Sequence, residues 1–76
     1  MTEAEARVLL RDCAGGGGGG IEAWIAGRPW QAVPGGWMVT SELQSWRFTA
    51  EPIPEALRLT AWPPSGSPPT WEVLPR

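Results

Sequence analysis

Two side-chain chemistries stand out in this chain, carboxylates close together in sequence and tryptophans set among arginines. Glu51 and Glu55 lie four residues apart, and Glu42, Glu22 and Glu72 could join them through the fold. A paired-carboxylate acid–base site of the glycosidase kind is therefore the one catalytic arrangement the residues allow. It needs a cleft that a domain of this size cannot easily build, so the acids read as solvated surface groups. Histidine, lysine and tyrosine are absent, which excludes Ser-His-Asp and Cys-His nucleophiles and Schiff-base chemistry. Cys13 has no second thiol or imidazole to complete a metal site or an internal disulfide, and it falls on an apolar stripe where a buried thiol is inert. The sequence calls for no catalytic residue, no cofactor and no metal, and points to a non-enzyme.

The tryptophans carry the remaining information. Six indoles in 76 residues supply much burial to a small chain, and any that stay outside are ready binding anchors. Trp46 and Trp71 alternate with charged neighbours and are assigned to the core, with Trp24 joining them. Trp62 falls opposite Leu57, Leu59 and Ala61, so it should face solvent beside Arg58 and Arg47. Trp30 and Met38 depend on the turn between them. A three-residue loop Pro34-Gly35-Gly36 sets Trp30 and Met38 on the outer face with Trp62, whereas a two-residue Gly35-Gly36 loop turns Trp30 inward and leaves Met38 outside with Val33. The first register is preferred, and the candidate binding residues are Trp30, Met38, Arg47, Arg58 and Trp62.

These side chains must be held by a single small domain spanning residues 1–76. Thr2-Glu3-Ala4-Glu5 is a capping box, and Ala6, Leu9, Leu10 and Cys13 follow at helical spacing. Six glycines at 15–20 end that helix. They satisfy G-x-G-x-x-G, but a helix precedes them where a dinucleotide site requires a strand, so they read as a flexible linker. Ile21, Trp24 and Ile25 suit a short second helix to Ala26, with a strand as the competing reading. From Trp30 onward the period becomes two, in runs separated by Pro34-Gly35-Gly36, Ser41–Ser45, Pro52–Ala56 and Pro63–Pro69. The expected fold is α+β, one or two N-terminal helices packed on one face of a four- to five-stranded antiparallel meander. Pro29 and Pro34 mark the first strand as one sheet edge, and Pro69 and Pro75 mark the last as the other.

The segment Trp30-Gln31-Ala32-Val33-Pro34-Gly35-Gly36-Trp37 resembles the Trp-then-Pro-x-Gly-Trp segment of MbtH-like proteins, small activators of peptide adenylation domains. That family's acidic run and later Trp-x-Asp-x-Arg-Pro segment have no counterparts here, so the resemblance implies no membership.

A net charge of −2 and six scattered arginines argue against duplex nucleic acid. Val8-Leu9-Leu10 is the longest strongly apolar run, which argues against a membrane span, and a lone cysteine suits a reducing, cytoplasmic setting. The leading expectation is a non-catalytic protein-interaction module, an inhibitor, immunity-type or accessory subunit, binding a protein partner through a Trp-bearing sheet face or edge strand. A homodimer is an allowed form. The alternative is a binder of small ligands or single-stranded nucleic acid that stacks rings on exposed indoles and holds phosphate with arginine.

Overall fold

Thr2 starts the chain's helix as its sequence demands. The Glu5 N–H donates to Thr2 Oγ1 at 3.2 Å and the Thr2 N–H donates back to Glu5 Oε1 at 3.1 Å, satisfying two end-of-helix donors reciprocally. In the computed structural model, which describes residues 1–14, 21, 25–41 and 45–76, this cap opens α1 (Glu3–Ala14). Five strands follow: β1 (Gln31–Val33), β2 (Gly36–Ser41), β3 (Trp46–Ile53), β4 (Ala56–Trp62) and β5 (Thr70–Pro75). They form one antiparallel sheet in the order β1-β2-β3-β4-β5, so the two proline-flanked strands are its edges, as expected. The chain is α+β, a helix on a five-stranded meander.

Alternation divides the sheet into two faces. The inner face presents Val39, Phe48, Ala50, Leu57, Leu59 and Ala61, all buried, and α1 lays Ala6 and Leu10 into the same cluster. Burying Leu57 and Leu59 completely contributes roughly 1.5–3 kcal/mol each before chain entropy is counted. Trp46 packs against this core and stacks on Phe48 at 6.2 Å, in the place the sequence assigns it. The glycine run at 15–20, Trp24, Glu22, Glu42, the Cys13 side chain and residues 22–24 of the proposed second helix at 21–26 lie outside the described residues.

Two expectations about faces are corrected. The β1–β2 turn is neither of the loops considered: Val33 pairs with Gly36, so the turn residues are Pro34 and Gly35. Pro34 supplies the fixed φ of a type II turn's first central position, and Gly35, at φ 87°, the positive φ of its second. Gly36 is already strand, held so near β3 that a Cβ would run into the Ala50 carbonyl oxygen. Ala32 therefore pairs with Trp37, and Trp30 falls on the inner face, packed on the core with its ring 5.7 Å from Trp37.

The second correction concerns β5. Trp71 pairs with Thr60 and Val73 with Arg58, on the outer face, while Leu74 pairs with Leu57 and is buried. Leu74 is the residue that fixes this parity, since a one-residue slip would expose it and bury Trp71 instead. The Arg76 N–H donates to the Glu55 carbonyl at 3.0 Å, continuing the same register past the strand end. Arg76 also pairs with Glu5 on α1 at 3.2 Å. The β3–β4 turn repeats the proline device, with Ile53 paired to Ala56 around Pro54-Glu55. Glu55 sits at φ 61° there, a strain on the order of 1 kcal/mol for a side chain other than glycine.

One arginine joins the helix to the start of the sheet. Arg7 donates from Nε to Glu3 Oε2 at 2.9 Å, from one terminal nitrogen to the Ala26 carbonyl and from the other to the Arg28 carbonyl, both at 3.0 Å. Its guanidinium lies 4.3 Å from the centroid of the Trp30 ring, whose Nε1 donates to the Ile25 carbonyl at 2.9 Å.

Arg7→Ala should lower stability by about 2–3 kcal/mol, because it leaves two carbonyls and the Trp30 face without their cationic partner. Arg7→Lys should restore less than half of that, since one ammonium cannot span both carbonyls and the carboxylate, and urea unfolding midpoints at constant m read the difference. Glu5 titrates below its ordinary 4.5, held down first by the Thr2 backbone N–H and then by the Thr2 hydroxyl. Its contribution is therefore full above about pH 4.5 and is lost as pH falls through the depressed value. Thr2→Ala should move the Glu5 midpoint up toward 4.5 in an NMR carboxyl titration.

Candidate functional site

With α1 and the core on the inner face, chemistry available to a partner lies on the other side of the sheet. One row of paired residues crosses it, Met38, Thr49, Thr60 and Trp71, from β2 to β5. Arg47 pairs with Trp62, and Glu51 with Arg58, on either side of that row.

Of the five candidates read from the sequence, the structure brings three together around Trp62, namely Trp62 itself, Arg47 and Arg58. Trp62 is on the outer face as expected, but it is half-buried: Arg47 lies over its ring at 5.3 Å and its Nε1 donates to Thr49 Oγ1 at 3.0 Å. Arg58 stands beside it, bridged to Glu51 at 2.6 Å. Exposed on both sides, that pair adds little stability, about 0–1 kcal/mol. It does give Glu51 a cationic partner in place of the second carboxylate that acid–base catalysis would need. Arg47 covers the far side of the Trp62 ring. Met38 shares the face but is three strands from Trp71, roughly 14 Å at the usual strand spacing. Trp30 does not belong to the site.

Trp71 does belong, and the sequence reading missed it. It is 65% exposed, and Val73 on the same strand and face is 40% exposed. The strand Thr70-Trp71-Glu72-Val73-Leu74 carries apolar residues at both parities, so alternation alone does not say which set goes inside. Leu74, in phase with Glu72, was the available signal.

Between the two indoles is a notch of about 300 Å³, walled by Trp62, Trp71 and Pro69, floored by Thr60 and rimmed by Arg58 and Glu51. Thr60 is 6% exposed, and its hydroxyl makes no hydrogen bond with any other side chain or loop among the described residues. Buried hydroxyls are ordinarily paired, with protein or with water, so this one is a polar group that whatever fills the notch can meet. A second hollow of about 390 Å³ lies on the other side of Trp62, against Arg47, Pro63, Pro64 and Pro69. The larger depression along α1, about 670 Å³, is lined by Met1, Ala4, Val8 and Leu9 beside the Glu5–Arg76 pair. It carries no buried polar group and is the weaker candidate.

The edge of β5 adds little to this site. Because Arg76 and Glu55 form a hydrogen-bonded pair, Leu74, Glu72 and Thr70 also direct their N–H groups toward β4. Only Trp71 and Val73 then turn an N–H to the open side, since Pro75 has none.

Trp30→Ala should cost about 3 kcal/mol of stability and Trp71→Ala no more than about 0.5, the reverse of what their neighbours in sequence suggest. Urea unfolding of the two variants checks it. No protein-family model matches the chain, and no curated protein or solved structure matches it either, so the site is read from its own geometry.

Proposed function

We propose that this chain is a non-catalytic protein-interaction module, of the inhibitor, immunity or accessory-subunit kind, that engages a partner protein through the outer face of β4 and β5. The observation that carries the reading is Trp71, a large indole left 65% exposed beside Val73 on a sheet face that α1 does not cover. Tryptophan is among the residues most often found to dominate binding energy, and an indole standing in water has its full burial still to gain. The face rather than the edge is the binding element, because two outward N–H groups make too short a ladder to hold a partner strand. Arg58 and Glu51 supply a polar rim to an apolar centre, the usual anatomy of an interface. A reducing cytoplasmic location accords with the lone cysteine.

A photo-crosslinking amino acid placed at Val73, and separately at Gln31 on the opposite edge and at Val8 on α1, tests the reading in the native host. A discrete product is expected from position 73 alone, and Trp71→Ala should abolish it. No product from position 73, or an equal one from position 31 or 8, would overturn the assignment.

A further inference from the structure

The hollow on the other side of Trp62 is built around a cation. β3 turns Phe48 inward, so Arg47 before it stands on the outer face opposite Trp62, its guanidinium 5.3 Å from the centroid of the indole. Arg7, Arg58 and Arg76 each close on a carboxylate. Arg47 does not, for its guanidinium makes no hydrogen bond and no ion pair among the described residues. Two hydroxyls reach the same hollow from separate connections, Ser45 from the one between β2 and β3 and Ser67 from the one between β4 and β5. Neither has a hydrogen-bond partner among the described residues. No carboxylate lines the hollow, and the chain carries none between Glu42 and Glu51 or between Glu55 and Glu72. In a protein of net charge −2 this is a positive site kept clear of acids.

We propose that this hollow binds a phosphomonoester group through the guanidinium of Arg47, with the Ser45 and Ser67 hydroxyls as further donors. The inference stands apart from the partner reading, whose anchor Trp71 does not line the hollow. A hydroxyl donates or accepts as its ligand requires, so the two serines choose nothing by themselves. Charge makes the choice, because a guanidinium has five N–H donors and no acceptor and so admits an anion and refuses a cation. Its planar fork matches the paired oxygens of a carboxylate or a phosphoryl group. The two extra hydroxyls favour the phosphoryl group, which brings three acceptor oxygens and nearly two charges where a carboxylate brings two oxygens and one charge. Stacking on Trp62 holds the guanidinium before the ligand arrives, so less side-chain freedom is lost on binding. The volume of about 390 Å³ exceeds what a phosphoryl group needs and leaves the rings of Pro63, Pro64 and Pro69 as an apolar bed for whatever carries it. The same contacts serve a small phosphomonoester and a phosphorylated side chain of a protein.

NMR titration of the intact protein with inorganic phosphate, a capped phosphoserine peptide, the same peptide unphosphorylated, and acetate, all at constant ionic strength, tests the proposal. Saturable shifts are expected at the amides of residues 45–47 and 66–67 and at the Trp62 indole N–H, with a dissociation constant of about 1–10 mM for phosphate held by one guanidinium. Arg47→Gln should weaken binding by about tenfold or more, and Arg47→Lys by about threefold, since an ammonium keeps the charge and loses the fork. Ser45→Ala combined with Ser67→Ala should weaken it by about fivefold. Arg58→Gln removes an equal charge from the same face and should leave it within about twofold. Circular dichroism checks that each variant keeps its fold. Tighter binding of the phosphopeptide than of phosphate would place the group on a protein, and equal or weaker binding would place it on a small molecule. Absence of saturation by about 50 mM phosphate would overturn the proposal. Binding of acetate or of the unphosphorylated peptide as tight as that of phosphate would overturn it too, as would equal losses from Arg58→Gln and Arg47→Gln.

Discussion

The guanidinium of Arg7 is the interaction on which the layered arrangement depends. A 12-residue helix and a three-residue first strand have little surface with which to hold each other. Arg7 joins them with a planar fork that reaches the Ala26 and Arg28 carbonyls together while Glu3 steadies it from one turn back. The same cation lies on Trp30, and Trp30 packs on Trp37, so a surface residue of α1 is linked by successive contacts to the start of β2. Lysine could balance the charge but not the geometry.

From that anchor the rest follows by parity. Trp30 shares the α1 face with Trp37 and Val39, and each antiparallel pairing carries that parity on to the next strand. The last strand receives it under conflict, because Trp71 and Val73 oppose Leu74 for a place inside. Leu74 takes it, opposite Leu57, with Arg76 tied to Glu55 and Glu5 beyond it. The protein leaves its largest exposed apolar side chain in water to keep a smaller one buried. Natural sequences depart from local rules of this kind where a surface has a use.

Much of the architecture was legible in the residues alone. Thr2 and Glu5 announce the helix start, the alternating runs announce the strands, and prolines at 29, 34, 69 and 75 mark the edges, since each of these signals acts within a few residues. The faces of Trp30 and Trp71 were not legible for a common reason. Trp30 depends on whether Gly36 belongs to turn or strand, which is decided by the Ala50 carbonyl on the next strand. Trp71 depends on a pairing between Leu57 and Leu74, with a proline-rich connection between them whose length does not set the register. Trp62 and Arg58 were found because β4 states its own parity three times, in Leu57, Leu59 and Ala61. Thr60 was hidden, since nothing in a lone threonine says that two indoles will wall it in.

The brevity of the open ladder on β5 bears on solubility. A fibril grows when each arriving strand meets an unbroken row of backbone donors and acceptors and offers the same row onward. Here the row carries N–H groups only at Trp71 and Val73 before Pro75 ends it, and at the other margin of the sheet β1 is three residues long between Pro29 and Pro34. An indole can therefore stand bare at the rim of the sheet without that rim serving as a seed for stacking copies of the chain.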